Sequence, residues 1–115
     1  MNVPSPQFTY RARVVKVIDG DTVDLDIDLG MHVWKHEERI RLLDVHAAEL
    51  RGAEKEAGLA AKDFLTRLLP VGELVVITTI KDKSDKYGRL LGDIWNGANA
   101  HVNELMRQHA PPAGR

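Results

Sequence analysis

The chain has no cysteine among its 115 residues. That excludes a disulfide framework and thiolate metal ligation, so any bound metal must use oxygen or imidazole. Cysteine-free composition also fits a reducing compartment. A long apolar run is missing too. The opening MNVPSPQFTY has neither a basic start nor a hydrophobic stretch, so no signal peptide or membrane anchor is visible and the expectation is a cytoplasmic protein. Nor is there an excess of charge of one sign. Sixteen basic residues face 17 acidic ones, for a net charge of −1, which gives little general attraction to a polyanion. Contact with a nucleic acid must then come from local groups. Two basic groupings exist, Arg11, Arg13 and Lys16 in one and Lys81, Lys83, Lys86 and Arg89 in the other. Solvated strand and turn faces are their plainer reading. Internal repeats and low-complexity segments are absent as well.

With 43% hydrophobic and 29% charged residues, the sequence has the balance of a packed globular protein, and its length suits one domain and a monomer. We read residues 1–9 as a flexible lead, 10–109 as the domain and 110–115 as a flexible tail. A strand is expected from Tyr10 to Ile18, ending at the turn Asp19-Gly20-Asp21. In TVDLDIDLG, Val23, Leu25, Ile27 and Leu29 alternate with Asp24, Asp26 and Asp28. That is the period of a strand with a buried face and a wet acidic face. Met31 to Glu38 reads as a connection, and Arg39 to Val45 as a third strand. Ala53, Ala57, Ala60, Ala61, Phe64, Leu65 and Leu68 recur at helical spacing from Gly52 to Leu69, and Pro70 stops the helix. Strands follow at Glu73 to Ile80 and Leu90 to Trp95, then a short helix from Ala100 to Gln108. Three strands, a long helix, two strands and a short helix suggest an α+β protein built on a small five-stranded Greek-key barrel.

Certain ends of these elements carry chemistry. Asp21 follows the first strand, while His46 and Glu49 follow the third, so a small barrel gathers carboxylates at its rim. Arg41 sits inside the third strand, where a half-buried guanidinium needs an anion. Asp44 or another strand carboxylate could supply it as a structural salt bridge. Arg89 closes a Tyr-Gly turn, where a surface role is the plainer reading. Two arginines, two carboxylates and a metal form a set suited to phosphodiester hydrolysis. Guanidinium forks match phosphate oxygens, a carboxylate orients or deprotonates water, and a hard cation offsets negative charge. His32, His36, His101 and His109 read as surface or packing residues.

Four segments then carry a resemblance. IDGDTV at Ile18 to Val23, RLLDVHAAEL at Arg41 to Leu50, DKYGR at Asp85 to Arg89 and VNELMRQ at Val102 to Gln108 resemble the staphylococcal nuclease (thermonuclease) family. The similarity runs in the same order from Tyr10 to Gln108. It implies a five-stranded OB-fold barrel and a Ca²⁺-dependent nuclease, a phosphodiesterase acting on DNA and RNA. By position, Asp21 matches a calcium carboxylate and Asp19 the acidic residue beside the metal. Arg41 and Arg89 match the phosphate-binding catalytic arginines, and Glu49 matches the glutamate acting as general base or positioning water. Lys86 and Tyr87 match positions flanking the bound nucleotide. The departure lies at His46, Ala47 and Ala48, which stand where the family has a second calcium aspartate, a threonine and a proline. The Ala47 carbonyl can still serve as a ligand, because it is backbone. His46 has three readings: it faces solvent beside a weakened site, it ligates a borderline cation such as Mn²⁺, Zn²⁺ or Ni²⁺, or it is a neutral hydrogen-bonding member of an inactive site. The last corresponds to an OB-fold module that binds nucleic acid or nucleotide without cleaving it.

Overall fold

A computed structural model describes residues 3–4, 7–84 and 87–109, with residues 81–84 described by backbone alone. The expected flexible tail at 110–115 therefore lies outside the described residues, as do residues 1–2 and 5–6 of the lead. Five strands close into a barrel in the order β1-β2-β3-β5-β4. They are β1 (Thr9–Asp19), β2 (Thr22–Gly30), β3 (Val33–Leu42), β4 (Leu74–Ser84) and β5 (Leu90–Trp95). All neighbours run antiparallel except β3 and β5, which pair in parallel through Ile40↔Leu90, Arg41↔Leu91 and Leu42↔Gly92. A helix, α1 (Lys55–Leu68), follows β3, and α2 (Val102–His109) follows β5. This is the expected α+β barrel with a long helix after the third strand and a short one at the end.

The alternation in β2 holds on the inner side for Val23, Leu25 and Ile27, while Leu29, at the hairpin end of the strand, is exposed. Val23, Leu25 and Ile27 are buried with Ala12 and Val14 of β1, Ile40 and Leu42 of β3, Ile77 of β4 and Ile94 of β5. Ala61 and Leu65 of α1, and Val102 and Met106 of α2, complete this core. The outer acidic row is less wet than expected. Asp24 is only 6% exposed, because Arg39 of β3 grips it with both Nε (2.9 Å) and Nη2 (3.1 Å). Across the β1 ladder, Arg11, Arg13 and Lys16 stand opposite Asp28, Asp26 and Asp24. The first basic grouping thus borders an acidic row of matching length. For the second grouping, the side chains of Lys81 and Lys83 and all of Lys86 lie outside the described residues.

Two boundaries differ from expectation. The segment read as a connection is mostly strand, since Val33 to Glu38 pairs with β2 and only Met31 and His32 form the turn, both with positive φ. Its alternation fails as a signal because nearly every side chain from Val33 to Glu38 is exposed. In turn, β3 ends at Leu42, and Leu43 to Leu50 forms the loop that carries much of the site. The helix expected from Gly52 opens with a 3-10 turn at Gly52–Glu54 before α1 begins. Buried Asn103 ties α2 to the barrel: its Nδ2 donates to the carbonyls of Leu43 (3.1 Å) and Gly92 (2.9 Å), and its Oδ1 accepts from Ile94 N (2.9 Å).

Candidate functional site

Barrel closure brings the first turn, the end of β3 and the start of β5 to one rim. Asp21, in the β1–β2 turn, is its centre. Its Oδ1 accepts from Thr22 Oγ1 (2.9 Å) and its Oδ2 from Ala47 N (3.2 Å). Arg41 Nη2 also lies 3.2 Å from Oδ2, so the ion pair expected of Arg41 is with Asp21 and not with Asp44. Asp19 caps the same turn, accepting from Asp21 N at 3.0 Å. The Asp21 carboxyl is pushed up to about 6 from 3.8, first by burial, then by the hydrogen bond and negative charge of Asp19, with Arg41 and Thr22 pulling the other way.

Arg41 is held on three sides. Nη2 donates to the Val45 carbonyl (2.9 Å) and contacts His46 Nδ1 (3.2 Å), besides Asp21. An arginine has only donors, so Nδ1 must accept and the proton of a neutral His46 sits on Nε2. One atom of Arg41 is left over: Nε is buried and, among the described residues, has no hydrogen-bond partner. An orphaned buried donor costs about 1–3 kcal/mol, more on a charged group, unless a ligand satisfies it. Arg89 reaches the same corner. Its Nη1 donates to Thr22 Oγ1 (3.4 Å), and its guanidinium lies 5.2 Å from the centre of the Tyr87 ring. Thr22 is 1% exposed and links Asp21 to Arg89. Thr22 stands inside the quoted IDGDTV motif, yet nothing in a single sequence distinguishes its hydroxyl from that of any strand threonine.

Glu49 occupies the other wall. Its side chain is 67% exposed, with Oε2 3.6 Å from Arg51 Nε. With Asp19, Leu50 and Arg51 it lines a cleft of about 290 Å³. Its backbone is fixed more firmly than its side chain, since Glu49 N donates to Glu54 Oε1 at 3.1 Å. Two glycines allow the loop to sit there. A Cβ on Gly58 of α1 would collide with the Glu49 carbonyl, and one on Gly20 would lie 2.7 Å from Ala47 Cβ and 2.6 Å from Ala61 Cβ. The Ala47–Glu49 segment is therefore wedged between the first turn and α1, without the proline that the family resemblance places at Ala48. Glu54 and Gly58 were invisible as site residues because their role is to seat a backbone.

Asp19 and Asp21 offer hard oxygen donors, the Asp21 carboxyl being raised chiefly by burial and then by Asp19. That donor chemistry suits a divalent cation. His46 stands beside this pair with its Nδ1 engaged with Arg41. Among the described residues no three His, Cys, Asp or Glu side chains gather around a common point. Tyr87 lies at the rim beside Arg89, while Lys86 lies outside the described residues. His32 is in the β2–β3 turn, His36 contacts Asp26 (3.2 Å), His101 contacts Asp93 (2.8 Å) and His109 stacks on Phe64, so none of the four joins this site. No helix among the described residues is long and apolar enough to cross a membrane.

Known proteins are similar to this chain in sequence. The family model described as Staphylococcal nuclease homologue matches residues 39–109. Similar chains include Protein ParB of Escherichia coli, 38% identical over 94 residues, covering 81% of this chain and 46% of that protein. Endonuclease YhcR of Bacillus subtilis (strain 168) is 30% identical over 119 aligned positions, covering 95% of this chain and 9% of that protein. Thermonuclease of Staphylococcus hyicus is 29% identical over 103 residues, covering 87% of this chain and 56% of that protein. The chain thus spans about half the length of the first and third and under a tenth of the second.

Proposed function

The chain belongs to the staphylococcal nuclease homologue family, and from that premise we propose that it is a nuclease hydrolysing phosphodiester bonds of DNA or RNA. The observation that carries the reading is the buried, unpartnered Nε of Arg41, beside a second guanidinium on Thr22. A phosphate oxygen is the acceptor that satisfies such a donor, and two guanidinium groups at one corner stabilise the charge of five-coordinate phosphorus. Glu49 takes a proton from water, whose oxygen bonds to phosphorus as the ester oxygen leaves with the bonding electron pair and is then protonated. Thr22 and the Arg41–Asp21 pair hold the two arginines in register. Asp21 and Asp19, with the Ala47 carbonyl, would hold a divalent cation, Ca²⁺ by family resemblance. When bound, that ion supplies positive charge next to the phosphate.

Incubation with denatured DNA and with RNA in Ca²⁺, Mn²⁺ or Zn²⁺, against a chelator control, tests the reading. Glu49→Gln and Arg89→Ala are each expected to slow cleavage by about a hundredfold or more. Absence of cleavage with all three ions would remove the nuclease, and a wild-type rate in either variant would remove that residue's role.

A second reading has its own observation: at the position matching a calcium aspartate, His46 binds Arg41 rather than adding an anion. On that reading the chain binds nucleic acid or nucleotide through Arg41 and Arg89 without turnover. Salt-dependent binding with no cleavage is its signature; turnover that vanishes in Glu49→Gln rules it out.

A further inference from the structure

Arg41 borders a second cavity, of about 260 Å³, whose other walls are Leu42, Leu43, Asp44, His46 and Leu91. Its composition is that of a small-molecule site, an apolar floor with a few polar groups at the edge. Leu43 and Leu91 are half-buried, whereas Asp44 and His46 are exposed. One wall is thus Arg41, which on the proposed function holds phosphate. A pocket joined in this way to a phosphate site has the chemistry for the base of the same nucleotide, with leucines below it and an imidazole face beside it.

Asp44 is the feature that needs an account. Its backbone is left-handed, with φ +57, in a turn closed by Val45 N donating to the Leu42 carbonyl at 3.3 Å. That conformation explains why a short polar residue or glycine stands there, and Asn or Gly would serve the turn as well. It does not explain a charge. Among the described residues the Asp44 side chain has no hydrogen-bond or ion-pair partner, and the neighbouring Arg41 pairs with Asp21 instead. The exposed Asp44, lining a base-sized pocket, offers an acceptor without a donor among the described residues.

We infer that Asp44 is a specificity-determining residue that selects guanine in the pocket beside Arg41, an inference resting on the nucleotide-binding reading above. A carboxylate has two acceptors and no donor. Guanine alone presents two adjacent donors on one edge, N1–H and N2–H, and they match the two oxygens. Adenine and cytosine present a single amine beside a ring nitrogen whose lone pair faces the carboxylate. Thymine and uracil present one N–H between two carbonyls. Each of these leaves an oxygen opposed by a lone pair.

Labelled single-stranded DNA and RNA oligonucleotides that differ in one base, together with 5′-GMP, 5′-AMP, 5′-CMP and 5′-UMP as binding probes, test this. Wild type is expected to favour guanine by about tenfold, the discrimination of one bidentate pair. Asp44→Asn and Asp44→Gly, which both keep the left-handed turn, are expected to lose that advantage, the ratio of guanine to each other base falling to about one. Cleavage or binding with equal use of all four bases overturns the inference and leaves the proposed function standing, and so does a guanine preference that survives in both variants. Guanine-selective binding without cleavage upholds the inference under the second reading. If no oligonucleotide is cleaved and no nucleotide bound, the proposed function fails and takes this inference with it.

Discussion

Asp21 is a carboxylate that the fold buries beside another carboxylate, and its function and its stability effect pull in opposite directions. Its folded pKa of about 6 lies above the ordinary 3.8. Protonated Asp21 therefore favours folding below about pH 4, and that contribution is lost as pH rises through about 6. Without a bound cation, ionised Asp21 destabilises the native state at neutral pH by up to about 3 kcal/mol, taking about 1.4 kcal/mol per pKa unit. In chelator, Asp21→Asn is expected to unfold later in urea than wild type at pH 7.5, and the difference is expected to vanish at pH 4; equal midpoints at both pH values would contradict the burial argument. Much at this scale was legible. Asp21, Arg41, Glu49 and Arg89 are marked by charge and by the motifs around them. Thr22 and Glu54 were not, because each acts through one hydrogen bond that spacing along the chain does not disclose.

The long helix matters to the site less through its apolar stripe than through one glycine. An alanine in a helix interior normally stabilises by about 1 kcal/mol over glycine. At Gly58 the sign is expected to reverse, because a Cβ there meets the Glu49 carbonyl. Gly58→Ala is expected to lower the melting temperature and to reduce kcat by about tenfold to a hundredfold with little change in KM, since the loop moves Glu49 while both arginines stay. A raised melting temperature with unchanged kcat would mean that the loop is not wedged. The helix itself was plain from its spacing, and so was β2. The first half of β3 was not, since an exposed hairpin arm has no buried face to print a period of two on Val33 to Glu38. Its strand character comes from pairing with β2, which the sequence states only through its partner.

The whole molecule is close to neutral, with a net charge of −1, and much of its basic surface lies across from acids, as Arg11, Arg13 and Lys16 do. Long-range attraction to a polyanion is weak, so among the described residues binding should count the arginines at the rim. With two phosphate contacts, the slope of log K against log salt for a single-stranded oligonucleotide is expected to be about −1 to −2. Fluorescence anisotropy between 50 and 200 mM salt reads it, and a slope steeper than about −4 would mean an extended basic track outside the described site. Strand count and helix placement foretold the barrel, whereas the pairing that closes it, β3 against β5 in parallel, joins residues about fifty apart that no local pattern links.

That parallel ladder also ties the site to the long-range part of the fold. Arg41 and Leu91 face each other across it, and Arg89 enters just before β5. The β1–β2–β3 meander can form from near neighbours, but the two guanidinium groups meet only after α1 and β4 have been laid down and the far edge has come round. Contacts of such long separation form slowly. The two arginines are thus brought together only in a chain whose β3–β5 pair has formed.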